Sequence, residues 1–209
     1  MAMFRTLICA LALALSPFAA LSHPHIFVDT TLRLVTNASG QITGVEVTWA
    51  YDDLYSLLLL EDKQLDGDYD GKLTKAELAQ LDGFDMQWVD GYMGDLYASL
   101  PAGGALDLSG PTPMGVAFDK GRITTRHLRT LPQPVDQLVL RAYDPTFYTA
   151  YDLTGGVTAP EGCAVQVQKA DIDAAQARVA EALKTMPADP DDYPEVGDAF
   201  ADTVQVRCQ

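Results

Sequence analysis

Twelve residues from Asp66 to Glu77, Asp-Gly-Asp-Tyr-Asp-Gly-Lys-Leu-Thr-Lys-Ala-Glu, constrain this chain more than any other stretch. They match D-x-[DN]-x-[DN]-G-x5-E, the loop of a helix–loop–helix calcium site. Ca²⁺ is a hard cation that takes about six to eight oxygens, and this spacing supplies them from one short loop. Asp66, Asp68 and Asp70 bring carboxylates to the first, third and fifth positions. Lys72 offers its backbone carbonyl at the seventh, Thr74 stands at the ninth, and Glu77 closes the loop with two oxygens. Gly71 falls at the sharp bend, where the absence of a Cβ is an advantage. Leu73 is the apolar residue aimed back toward a core. Thr74 and Glu77 have the spacing of a capping box, which starts the exiting helix. A phosphate loop is excluded: the spacing from Gly67 to Lys72 is one residue short, and Leu73 stands where Ser or Thr is needed.

The N-terminus predicts the compartment. Arg5 is the only charge before an apolar run from Leu7 to Leu15, and Pro17 follows it. Such a run is too short to span a bilayer, which needs about 20 residues. Small residues at Ala20 and Ser22 fit a leader spanning 1–22, cut after Ser22. The expectation is a periplasmic protein with no transmembrane segment in its mature chain, and one domain over 23–209. The formal charge of −15 becomes one unit more negative without Arg5. This acidity argues against nucleic acid and anionic lipid as partners and favours attraction of cations. Cys9 leaves with the leader. Cys163 and Cys208 remain, and in an oxidising compartment they most simply form one disulfide.

The remaining pattern predicts strands around a helical insert. Ile26, Val28, Leu32 and Leu34 alternate with polar residues, and Val45, Val47, Trp49 and Tyr51 do the same. Asp52 or Asp53 caps a helix over Leu54–Lys63. An exiting helix starts near Lys75 and continues, broken near Gly83, toward Leu100, so that 53–100 forms a helical insertion. Further strands are expected around 106–108, 116–118, 122–128 and 137–143, at Val157, at 164–168 and at 203–207. Asp119-Lys120-Gly121 reads as a hairpin turn. Asp171 caps a helix to about Lys184, and an acidic, proline-rich linker covers 187–194. The fold class is α+β: an antiparallel, β-rich, sandwich-like domain with a helical insertion and one C-terminal helix.

Cleavage after Ser22 makes His23 the first residue, followed by Pro24 and His25. An amine, two imidazoles and nearby Asp29 suit Cu²⁺, Ni²⁺ or Zn²⁺. Pro24 lacks the amide hydrogen that a square-planar amino-terminal copper site deprotonates. His25 or His127 is then needed to complete a set with His23, and Asp29 can ligate directly or orient a ring. A solvated, frayed terminus is the competing reading of the same residues.

His23-Pro24-His25-Ile26-Phe27-Val28-Asp29, the Trp49 strand leading to Tyr55-Ser56, the calcium loop, and Tyr143-Asp144-Pro145-Thr146-Phe147-Tyr148 resemble the periplasmic family catalogued as domain of unknown function 1007. The resemblance runs over essentially the whole mature chain. It departs at Asp52-Asp53-Leu54, where an acidic-aromatic pair is expected. The resemblance implies a periplasmic component of a transport system, working beside a membrane permease for nickel, cobalt or zinc. It supplies no catalytic residue, and G-x-S-x-G and H-E-x-x-H are both absent from the sequence. The function expected is that of a non-catalytic calcium-binding accessory to a transition-metal transport system. The alternatives are a calcium-stabilised interaction module without a transition-metal role, and a copper enzyme using a terminal histidine brace. Tyr143, Phe147 and Tyr148 are expected as core aromatics around an Asp144-Pro145-Thr146 turn.

Overall fold

A computed structural model describes residues 24–186 and 193–209. The expected leader, His23 and most of the 187–194 linker lie outside the described residues. The chain opens with strands β1 (Ile26–Thr36) and β2 (Ile42–Tyr51), followed by helices α1 (Asp53–Asp62) and α2 (Lys75–Gln80). Then come β3 (Leu96–Ser99), β4 (Ala105–Leu106), β5 (Thr112–Asp119) and β6 (Arg122–Val135). The last part holds β7 (Gln137–Ala142), β8 (Thr149–Thr158), β9 (Cys163–Gln168), helix α3 (Ile172–Leu183) and β10 (Thr203–Cys208).

Alternation builds the first two strands. Val28, Leu32 and Leu34 of β1 and Val45, Val47, Trp49 and Tyr51 of β2 are buried, while Asp29, Thr31 and Arg33 turn outward. Asn37 sets the turn between them, its Oδ1 accepting the amides of Ser39 and Gln41. The β5–β6 hairpin turns on Lys120 and Gly121, both at positive φ, which matches the right-handed twist of the flanking strands. One sheet has the order β5-β6-β2-β1-β8, with β1 and β8 parallel; the other runs β4-β3-β7-β10-β9. Leu32, Val47 and Ile123 from the first sheet and Leu96, Leu138, Leu140 and Val204 from the second share one apolar cluster. This is a sandwich of two inner faces, a β-rich α+β fold.

Cys163 and Cys208 lie directly opposite each other across β9 and β10, and are bonded with Cα atoms 4.0 Å apart. The bridge fastens the chain's end to an edge strand. Asp52 caps α1 by accepting the Tyr55 amide, and Asp171 caps α3 by accepting the Ala174 amide. Ser56 anchors α1 to the first sheet, its buried hydroxyl accepting the Ile123 amide at 3.0 Å.

The helical stretch expected to run toward Leu100 ends much earlier. Helix α2 stops at Gln80, residues 81–95 form turns, and Leu96–Ser99 pairs with β7 as a strand. Gly83, Gly91 and Gly94 all adopt positive φ, a conformation that cannot continue a right-handed helix. Trp88, read from sequence as part of the helical region, packs against the core from the irregular stretch between these turns. Strand β8 is also longer than expected, since Gly155 and Gly156 mask its pattern. Gly155 needs to be glycine because a Cβ there would meet Thr31 Oγ1 at 1.7 Å.

Candidate metal centre

The acidic loop joins α1 to α2. Asp66 folds it: Oδ1 accepts the Asp70 amide at 3.1 Å, and Oδ2 accepts the Gly71 amide at 3.2 Å. Asp70 Oδ1 accepts the Lys72 amide at 2.8 Å. Gly71 has φ +74°, with open space where a Cβ would go, so its backbone conformation and not crowding demands glycine. The Glu77 carboxylate closes the loop, accepting the Asp66 amide at 3.0 Å and the Thr74 amide at 2.8 Å. Thr74 Oγ1 accepts the Glu77 amide in return, completing the capping box. The Thr74 hydroxyl bonded to Glu77 holds this acid below the usual carboxylate range, with the loop amides adding to the effect.

Carboxylate oxygens of Asp66, Asp68 and Asp70 lie within 4.8 Å of one another. Three like charges at that separation repel, and a divalent cation offsets the repulsion. The structure brings together the three aspartate carboxylates, all hard oxygens; Glu77 stands outside that group, its Oε1 accepting the Asp66 amide and its Oε2 the Thr74 amide and hydroxyl. Nitrogen and sulfur are absent from this set, so its chemistry fits Ca²⁺ and not a softer ion. Leu73 is half-buried and packs against the core cluster, coupling the loop to the sandwich.

The histidines and Asp29 are distributed differently. His25 donates its amide to the Tyr148 carbonyl at 2.8 Å, and the two rings lie 4.8 Å apart. This contact brings the start of the chain onto the 143–148 loop. That loop is held by Asp144, which accepts the Thr146 amide and hydroxyl and the Thr149 amide. Within it Phe147 stacks on Phe200 at 3.8 Å and Tyr143 on Tyr97 at 4.2 Å. Tyr148 remains about half exposed and so departs from the core role expected of it.

Asp29 is engaged by Arg122 at 2.6 Å and by the Thr154 hydroxyl at 2.5 Å. The Thr154 hydrogen bond, with Arg122 assisting against burial, holds its acid below the ordinary range. It sits four residues beyond His25, about 13 Å along the strand. His127 is fully buried between Trp49 and Trp88, with ring centroids 4.7 and 5.9 Å away. It pairs with Val47, and Val47 with Leu32, which puts it about 23 Å along the strand direction from His25. The structure does not bring His25, Asp29 and His127 together. Among the described residues, the acidic trio is the one grouping of three or more metal-ligating side chains.

A second polar cluster was missed from sequence. Asp85 Oδ2 accepts the Tyr51 hydroxyl at 2.8 Å and the Thr125 hydroxyl at 2.6 Å. Asp95 Oδ2 accepts the hydroxyls of Tyr92 at 2.7 Å and Tyr151 at 3.0 Å. Burial pushes the Asp95 acid up to about 6 and raises Asp85 as well. Buried Arg129 donates to the Met93 carbonyl at 3.1 Å and to the Ser109 carbonyl, with its guanidinium 4.6 Å from the Trp88 ring centre. These contacts fasten residues 85–95, just beyond the acidic loop, to the first sheet. One sequence signal pointed to them: Thr125, His127 and Arg129 place three polar side chains on the inward face of β6, where a packed strand carries apolar ones.

The family model described as "Protein of unknown function (DUF1007)" matches residues 8–208, and the chain belongs to that family. No curated protein matches the chain.

Proposed function

We propose that this protein is an exported, non-catalytic calcium-binding module that serves as the periplasmic accessory of a membrane transport system. The convergence of the Asp66, Asp68 and Asp70 carboxylates within 4.8 Å carries the calcium reading. Calcium would be held by those three aspartates, the Lys72 carbonyl, Thr74 and Glu77. It would neutralise the loop and hold α1 and α2 in fixed relation to the sandwich. A single site of this kind suits an extracellular compartment, where sites of about 10⁻⁴ to 10⁻³ M operate. The disulfide between Cys163 and Cys208 supports an oxidising compartment.

The transition-metal role expected from His23, His25, Asp29 and His127 loses two of its four residues to other work. Arg122 and Thr154 engage Asp29, and His127 is enclosed by tryptophans. Those placements weaken the transition-metal part of the role, leaving Zn²⁺, Ni²⁺ or Cu²⁺ binding to rest on His23 and His25 alone. A copper brace would depend on the His23 amine.

Thermal melting tests the calcium reading. Metal bound only to the native state stabilises it by about 2.7 kcal/mol at a hundred times its Kd. Millimolar Ca²⁺ should raise the Tm over that in chelator, and Glu77→Gln should shrink the difference. Identical wild-type curves in calcium and chelator would remove the calcium reading. A Zn²⁺ titration of wild type against His25→Ala tests the histidine pair, and equal binding would dismiss it.

A further inference from the structure

Helix α1 is apolar on both sides. Ser56 and Leu60 face the sheet and are buried, while Leu54, Leu57 and Leu58 remain 63%, 52% and 57% exposed. Their i, i+3, i+4 spacing makes one continuous outward stripe. Beside it runs a groove of about 490 Å³ whose lining is mostly apolar (Ile26, Leu54, Leu58 and Leu59 among it) and includes the polar Asp62 and His25. A helix that is hydrophobic all round is normally covered on both sides, and an exposed apolar stripe with a polar rim marks an interaction surface.

The rim indicates what covers it. Asp53 begins α1, Glu61 and Asp62 end it, and the last turn has no basic residue. Asp53 pairs with Arg122 at 3.9 Å and Lys63 follows the helix, so the exposed Glu61 and Asp62 are the acids that set the charge of this rim. A second copy of this chain would set these carboxylates against their own kind, and an anionic membrane would repel them. A chain with apolar anchors and cationic flanks meets both features.

We infer that the α1 face, with the groove along Tyr148, docks an amphipathic helix of a partner protein that carries leucine-like anchors flanked by Lys or Arg. The inference deepens the accessory reading, since it names the surface through which such a module engages its partner. The leucine stripe supplies burial on docking, and the acidic rim steers encounter and sets orientation.

Two synthetic helical peptides with one leucine pattern, flanked by lysine in one and glutamate in the other, test the surface by calorimetric titration into the purified protein. The lysine peptide should bind and the glutamate peptide should not. Leu54→Gln/Leu58→Gln should weaken the lysine peptide about tenfold or more. Glu61→Lys/Asp62→Lys should weaken it and admit the glutamate peptide. All four substituted positions are exposed, and melting curves verify that the variants fold. Equal binding of both peptides, or unchanged binding by the leucine variant, would overturn the inference. So would concentration-dependent dimerisation abolished by Leu54→Gln/Leu58→Gln, which assigns the face to a second copy. Leucine-dependent sedimentation with phosphatidylcholine vesicles would assign it to lipid and overturn it equally. Running the titrations with calcium and with chelator separates the two readings: peptide binding without calcium binding leaves the docking face standing, and the reverse removes it alone.

Discussion

Asp95 Oδ2 lies 3.0 Å from the Tyr151 hydroxyl, a contact 56 residues long in sequence that ties the segment after the acidic loop to the parallel edge strand of the first sheet. Tyr92 donates to the same oxygen at 2.7 Å, and the other Asp95 oxygen is buried without a hydrogen-bond partner among the described residues. A carboxylate so placed is costly to ionise. Burial accordingly raises its acid from 3.8 to about 6.

The sign of the resulting pH dependence is fixed. Between pH 3.8 and about 6 the native state holds a proton that the unfolded chain has released, so this contribution to stability is complete below about pH 4 and is lost as pH rises through 6. The swing is on the order of 3 kcal/mol. Denaturant melts of wild type and Asp95→Asn across pH 4 to 8 should give a difference that changes in this window and is level above it. Parallel profiles would show that Asp95 ionises freely.

His127 acts in the opposite direction. Burial, then the charge of Arg129, lowers it from 6.5 to about 4. The native state keeps the ring neutral while the unfolded chain protonates, so stability is lost as pH falls from 6.5 toward 4. His127→Phe should flatten this acid limb and thereby expose the opposite slope of Asp95. His127→Ala should cost about 3 kcal/mol at neutral pH by leaving a void between Trp49 and Trp88. The His127 ring signal, identified by its loss in His127→Phe, moving with a midpoint above 6 in the native protein would contradict the placement.

Much of the sandwich was legible because period-two alternation in β1 and β2 survives translation into burial, residue by residue. A cap at Asp52 or Asp53, the Asp171 cap, the Lys120-Gly121 hairpin and the Cys163–Cys208 bond were also readable, since each rests on local chemistry or on the two cysteines that lie beyond the expected leader. Residues 81–99 were not. Their apolar content resembles a helix, and three left-handed glycines with a strand pairing to β7 override it. Asp85 and Asp95 carry no signal of their own for another reason: an acid's burial depends on hydroxyls supplied from distant strands, and only the polar inward face of β6 hints at such partners. The reach of His127 toward the N-terminus failed because strand register, which sequence does not display, separates them by about seven residues' rise.

Gly94 is the most crowded glycine between residues 53 and 100. Its φ is +66°, and a Cβ there would meet Trp88 at 2.1 Å and Arg129 Nη1 at 2.7 Å. Gly94→Ala should cost about 3 kcal/mol, combining overpacking with left-handed strain, whereas Gly91→Ala should cost only about 1 kcal/mol. Gly91 is also at positive φ but has open space where its Cβ would go. Chemical denaturation compares the two, and equal losses would mean that Trp88 does not crowd Gly94.

The disulfide spans 45 residues. Replacing both cysteines by serine should cost about 4 kcal/mol in the chain-entropy account. Denaturant midpoints for this variant and the oxidised wild type measure the loss. A change below about 1 kcal/mol would mean that β9 and β10 are held by their ladder alone.

Direct calorimetric titration of Ca²⁺ into metal-free protein tests the central claim. The account predicts one calcium per chain for wild type, at least tenfold weaker binding for Glu77→Gln, and no measurable binding for the paired change Asp66→Asn/Asp70→Asn. Absence of heat and of bound calcium at millimolar metal in folded wild type would contradict it, as would binding that survives the paired change undiminished.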